Sequence, residues 1–251
     1  MRYTLLPALI LAAGAAQAHF GMIIPEDAMI AQEDGRGVDL TLSFSHPFEE
    51  AGMTLEAPVS VSVTHDGETT DLTGALTPAE VMGDAGFALT LDLPRPGSYV
   101  LAMEPQPYWE PAEDAFIIHY TKTYVGAYGV DDGWDAMVGM PVEILPLDRP
   151  YGLWEGNIFR GQVLRDGEPV PFAEVEVEHY NQAGVPAPSE LMITQTIVAD
   201  GDGVFSYAPP GDGWWGFAAL MEADYTLDHE GSAKGVELGA VLWVHFEAFG
   251  E

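Results

Sequence analysis

The sequence predicts an all-β protein built as two β-sandwich domains, and three observations carry that prediction. Apolar and polar residues alternate with a period of two over many short runs, Asp-Gly and Pro-Gly turn signals separate those runs, and helical periodicity is almost absent. A period of two places successive side chains on opposite faces of a strand, so one face of each run can enter a core.

The first eighteen residues stand apart. A short basic opening around Arg2, an apolar run at 5–13 and the small-x-small triplet Ala16-Gln17-Ala18 form a secretory signal cleaved after Ala18. Export to the periplasm follows as an expectation, with a mature chain that begins at His19. An N-terminal histidine offers an amine and an imidazole on one residue, a chelate for a transition metal.

In the expected first domain, residues 19–148, Asp-Leu-Thr-Leu-Ser-Phe-Ser-His at 39–46 alternates over eight positions. Val-Ser-Val-Ser-Val-Thr at 59–64 repeats the pattern ahead of an Asp66-Gly67 turn. Residues 87–93 and 98–100 read as two strands joined by Pro94-Arg95-Pro96-Gly97. The one helical candidate is 77–82, where Thr77 would cap, Pro78 would take the first helical position and Glu80 would complete the box. Prolines and glycines at 146–156 then break the alternation and mark the domain boundary.

The second domain, 149–251, resumes with a strand at 158–164, an Asp166-Gly167 turn, and the clean alternation Ala-Glu-Val-Glu-Val-Glu-His at 173–179. Strands at 194–199, 204–207 and 214–220 follow, in a pattern like the transthyretin-like or carboxypeptidase-regulatory-like sandwich. Asp200-Gly201-Asp202-Gly203 lacks the remainder of a calcium loop and reads as a tight turn.

Composition narrows the function. Forty acidic residues against eight basic ones give a net charge of −32, which disfavours nucleic acid and anionic lipid as partners. The acids are scattered singly, so the charge serves solubility and marks no site. With no cysteine, neither disulfides nor thiolate ligands are available, and metal donors reduce to histidine, carboxylate, methionine and a terminal amine. Beyond the signal no stretch is long and apolar enough to span a membrane. There is no Gly-x-Ser-x-Gly elbow, His-Glu-x-x-His helix or phosphate loop, so a non-enzymatic role is expected.

The seven histidines sort by position. His46 shares strand parity with Leu40, Leu42 and Phe44 and so points inward, where Pro47 stops the strand. His119 interrupts the apolar segment Phe-Ile-Ile-His-Tyr at 116–120, a costly placement for an unbonded imidazole. His245, in the final strand, could return to the first domain as a further ligand. His65, His179 and His229 sit beside turns or strand ends and read as surface residues. Met22 and Met53 are thioether candidates that more simply fill cores. Glu49, Glu110 and Asp114 could orient a ligating ring.

The residues His-Phe-Gly-Met-Ile-Ile-Pro at 19–25, His-Pro-Phe-Glu at 46–49, Pro-Tyr-Trp-Glu-Pro-Ala-Glu-Asp at 107–114, Phe-Ile-Ile-His-Tyr-Thr-Lys at 116–122, Arg-Pro-Tyr-Gly-Leu-Trp at 149–154, Gly-Trp-Trp-Gly-Phe-Ala-Ala at 213–219 and Leu-Trp-Val-His at 242–245 carry a further signal. Together they resemble the periplasmic proteins associated with nickel and cobalt uptake, described as the periplasmic component of energy-coupling-factor type transporters and otherwise as a domain of unknown function. The resemblance implies a divalent metal site centred on His19, with His46, His119 and His245 as the matching histidines, Ni²⁺ or Co²⁺ as cargo, and membrane transporter subunits as partners. Amine and imidazole donors suit those ions, and the Irving–Williams order favours Cu²⁺ on the same set.

Two other functions remain open. A terminal histidine with a second histidine on a β-sandwich is the arrangement of histidine-brace copper oxygenases, although their other motifs are missing. A non-catalytic adhesion or carbohydrate-binding module would need no metal, since a sandwich does not define a function.

Overall fold

The computed structural model describes residues 19–250. The expected signal, at 1–18, lies outside the described residues.

Among the described residues the chain is nearly all β, with three short 3₁₀ turns. Its strands are β1 (Phe20–Pro25), β2 (Met29–Ile30), β3 (Gly37–His46), β4 (Ala51–Met53), β5 (Ser60–His65), β6 (Glu68–Asp71), β7 (Thr77–Val81), β8 (Asp84–Asp92), β9 (Gly97–Glu104), β10 (Tyr108–Glu110) and β11 (Ala115–Ala127). They continue with β12 (Val142–Pro146), β13 (Leu153–Trp154), β14 (Phe159–Arg165), β15 (Glu168–Pro169), β16 (Glu174–His179), β17 (Gln195–Val198), β18 (Val204–Tyr207), β19 (Gly213–Glu222), β20 (Leu227–His229) and β21 (Ser232–Glu247).

Three sheets result. One runs β1-β3-β8-β7 with β4 on β3, and another β12-β14-β15 with β18 on β14. The third, of twelve strands, runs β17-β16-β19-β21-β11-β9-β5-β6 and backs both of the smaller sheets. Leu40, Leu42, Leu89 and Leu91 of the first sheet meet Val61, Leu101 and Ile117 of the long sheet in one core. Ile144, Phe159, Val163 and Phe205 meet Val175, Val177 and Phe217 in the other. The molecule is therefore a pair of β-sandwiches that share a continuous sheet.

Parallel pairing of β11 with β21, from Ala115 opposite Gly235 to Lys122 opposite Leu242, joins the two halves. Parallel strands need long crossovers, and here the crossover is most of the second sandwich. β1 is buried along its whole length because its two faces serve both cores: Phe20, Met22 and Ile24 enter one and Ile23 the other.

Several expectations meet the structure directly. The Asp66-Gly67 and Asp166-Gly167 turns form with all four residues at positive φ, the hairpin geometry that favours this dipeptide. Asp200 closes its turn by accepting from the N–H groups of Asp202 at 2.9 Å and Val204 at 3.0 Å. Residues 77–81, expected as a helical turn, form β7 instead, antiparallel to β8. The cap-like residues there are overridden by pairing with β8, and Pro78 is tolerated because β7 is an edge strand. The proline-rich stretch at 146–156 falls inside the second sandwich, since β12 before it pairs with β14 after it. The chain thus passes from the first sandwich to the second between β11 and β12, ahead of the expected division at 148 and 149.

Candidate metal centre

Three strands bring three imidazoles to one place. His19 enters β1, His46 closes β3 and His119 lies within β11. β1 pairs antiparallel with β3, Phe20 opposite Ser45, so the start of one strand necessarily meets the end of the other. The His19 and His46 rings stand 4.8 Å apart. Phe44 holds the group together: His19 stacks on it at 5.8 Å and His119 meets it edge-on at 5.6 Å.

His119 is 2% exposed. Its ring lies in a slot between two glycines, where a Cβ on Gly239 would stand 2.7 Å from Nε2 and one on Gly21 would stand 3.1 Å from the His119 Cβ. The Gly21 N–H donates to Nδ1 over a long 3.4 Å. The neutral ring then carries its proton on Nε2, which is buried with no hydrogen-bond partner among the described residues. A carboxylate oxygen of Glu237 stands 3.8 Å from it. A buried polar atom in that state has a cost that a ligand can relieve.

His19 is held in the opposite manner. Its Nε2 lies 3.2 Å from Oε2 of Glu110, with both side chains 12% exposed. Burial, and after it the neighbouring imidazoles of His46 and His119, lower its pKa to about 4, against the raising influence of Glu110 and Glu237. The ring is neutral near pH 7, and a carboxylate at Nε2 favours the tautomer that leaves the Nδ1 lone pair open.

His245 does not join this group. It meets the Trp214 ring at 5.1 Å and Glu247 at 3.3 Å. Six residues of β21 separate it from Gly239, roughly 20 Å along a strand. Of the carboxylates expected to orient a ring, Glu110 does so, while Asp114 is paired with Lys234 at 2.7 Å. Met22 is core, and Met53 pairs across from Phe44 on β4. His65, expected on the surface, is instead 7% exposed, stacked on Tyr99 at 4.1 Å and bonded through Nδ1 to the Ser98 carbonyl at 3.0 Å. It follows the inward parity of Val61 and Val63 on β5, which outweighs its nearness to the turn. His179 is half-buried against Trp215 and bonds the Asp212 carbonyl, and His229 is half-buried with its ring stacked on Trp109 at 3.8 Å.

Beside Phe44 and His119 opens a cavity of about 280 Å³, walled by Met103, Pro105, Pro107 and Tyr108. Among the described residues no set of three or more His, Cys, Asp or Glu side chains is placed to hold an ion as the molecule stands. One nitrogen of His19 faces Glu110, and Nδ1 of His119 accepts from the Gly21 N–H.

A family model described as "Domain of unknown function (DUF4198)" matches residues 16–223. The chain belongs to the DUF4198 family. The match spans β1 to β19, and the three clustered histidines all lie inside it. No curated protein matches. Among solved structures, this DUF4198 chain is similar to the D0-D1 domain of intimin, at 11% identity over 92% of this chain and all of that one, with a TM-score of 0.24. It is also similar to trypsin-activated alpha-2-macroglobulin from Escherichia coli, at 9% identity over 91% of this chain and 16% of that one, with a TM-score of 0.28. The adhesin InvE of Yersinia pseudotuberculosis matches at 11% identity over 90% of this chain and 61% of that one, with a TM-score of 0.25. The chain spans less than a fifth of the macroglobulin.

Proposed function

We propose that this DUF4198 protein is a periplasmic, non-catalytic carrier that captures a divalent transition metal, Ni²⁺ or Co²⁺, at His19, His46 and His119 and passes it to a membrane uptake transporter. The single observation that supports it is the convergence of three imidazoles from three strands, His19 beside His46 and both His19 and His119 against Phe44. Neutral imidazole is the ligating form, and burial keeps His19 in it. If the chain is cut after Ala18, the free amine joins Nδ1 of His19 in one chelate, with Glu110 on the far nitrogen. Nickel and cobalt rest on the family resemblance; the same donors suit Cu²⁺.

Calorimetric titration of the signal-cleaved protein with Ni²⁺, Co²⁺, Cu²⁺ and Zn²⁺ tests this, beside His19→Ala and a form with one extra residue ahead of His19. Stoichiometric binding that falls at least tenfold in both altered forms is the expected result. Binding indifferent to both changes would remove His19 from the site and the proposal with it.

A further inference from the structure

We propose that the cavity bounded by residues 54–56 and 105–108 is a binding site for a small organic cation with a methylated ammonium head, a site that needs no metal and stands apart from the metal reading.

The cavity has an apolar floor and a polar mouth. Its volume of about 280 Å³ is close to the roughly 300 Å³ at which pockets for small organic ligands begin. Phe44, Met103 and Ile117, from β3, β9 and β11, are buried in its wall together with Leu55. Thr54, Glu56 and Gln106, from the segments that follow β4 and β9, are exposed at its mouth.

Charge selects a cation. The lining contains no lysine or arginine, and Glu56 places a carboxylate at the mouth. The Thr54 hydroxyl donates to Oδ1 of Asp84 at 2.8 Å, which brings a second carboxylate beside it. Burial first, and after it the negative charges of Glu110 and Asp84, push the Tyr108 phenol above its ordinary value, so this wall of the cavity lies in a negative field. Lys234 does not cancel it, since its ammonium is paired with Asp114 at 2.7 Å and lies against the Trp109 ring at 5.7 Å. Pairing of β10 with β11 sets Trp109 opposite Phe116 and Tyr108 opposite Ile117, and alternation then turns Trp109 away from the side on which Tyr108 meets the cavity. A field of one sign in a cleft with low-dielectric walls concentrates the opposite charge.

The floor selects the kind of cation. Phe44 and Tyr108 stand with ring centroids 4.9 Å apart and planes inclined at 54°, so the pair presents π surface in two directions. A cation over such a ring is attracted by its quadrupole, more strongly once desolvated. An ammonium that carries N–H groups would leave donors unpaired against Leu55, Met103 and Ile117. A fully methylated nitrogen has no such donors, and its methyl groups meet the same side chains by van der Waals contact. A short polar tail on the ligand would then reach the mouth at Thr54 and Gln106.

Choline serves as the probe, beside its uncharged carbon analogue, in which a tert-butyl group replaces the trimethylammonium head. Both are titrated calorimetrically into the signal-cleaved protein after metal has been removed with a chelator, and into Tyr108→Phe, Tyr108→Leu and Glu56→Gln. Choline should bind the parent about tenfold more tightly than the analogue and equally well in Tyr108→Phe, but about fivefold more weakly in Tyr108→Leu, where the ring is gone. Glu56→Gln, an exposed change that leaves the floor intact, should weaken choline and leave the analogue unaffected. Should Tyr108→Leu misfold, Glu56→Gln still separates charge recognition from packing.

No choline binding to the folded parent would overturn the proposal. Equal affinity for choline and the analogue would make the cavity an apolar pocket without cation recognition. Choline binding that is unchanged in both folded Tyr108→Leu and Glu56→Gln would place the cation elsewhere on an acidic surface, and either result also overturns it.

Discussion

At the scale of single residues, His19 sets the pH behaviour of the site. Its folded pKa of about 4 lies below the 6.5 of a free imidazole, chiefly through burial. The unfolded chain therefore takes up a proton first as pH falls. Stability owed to a neutral His19 is complete above about 6.5 and is lost as pH drops towards 4. The melting temperature of the parent should fall more steeply than that of His19→Gln between pH 7 and 4, and parallel profiles for the two would refute the assignment. The same shift moves proton competition at this ring to near pH 4, so mild acidification alone should not expel a metal through His19. Much of this was legible in the sequence. Strand parity turned His46 inward, and an imidazole in an apolar run marked His119. Glu237 was not legible, being one of forty acids with no local pattern to distinguish it. Gly239 was equally hidden, because its value lies in the ring that a neighbouring strand lays against it.

At the scale of elements, the segment that follows His46 is clamped by the other sandwich. The Phe48 N–H donates to Oε1 of Glu178 at 3.0 Å, Asn181 Nδ2 donates to the Phe48 carbonyl at 3.2 Å, and the Asn181 N–H donates to the Pro47 carbonyl at 3.2 Å. The Thr194 hydroxyl takes the second oxygen of Glu178 at 2.9 Å. Burial pushes the Glu178 carboxyl up to about 8, against the pull of those two bonds. Its folded pKa is thus raised above the unfolded 4.5. The stabilisation is full below about pH 4.5 and declines as pH rises through 8. Glu178→Gln keeps the shape and an acceptor for Phe48 without the buried charge. It should melt higher than the parent above pH 8 and lose the advantage near pH 4.5; an advantage that does not change with pH would count against the clamp's titration. The alternation at 173–179 made this strand predictable from sequence. It could not say that Glu178, on the polar side of that alternation, is buried, because the covering segment comes from 130 residues earlier.

At the scale of the whole molecule, the two sandwiches share one continuous sheet, and this was the least legible feature. Alternation reports which face of a strand is apolar, not which strand it will lie beside, and β11 and β21 are separated by more than a hundred residues. Their junction is reinforced by Lys122 on β11 and Glu143 on β12, a pair with Nζ 2.9 Å from Oε2 in which both residues are almost wholly buried. Glu143 also accepts the N–H groups of Val138 and Gly139, each at 3.2 Å, which anchors the passage from one sandwich to the next. Removing one partner of such a pair strands the other charge in the interior, at a cost of about 3–5 kcal/mol. In a protein of this length that corresponds to a fall in melting temperature on the order of 10 °C. Because the shared sheet couples the halves, calorimetry on the parent should give one transition whose calorimetric and van't Hoff enthalpies agree, and Glu143→Ala should shift that transition as a unit. Two transitions, with only one moved by Glu143→Ala, would mean that the sandwiches unfold independently and that the continuous sheet contributes little to holding His19, His46 and His119 in place.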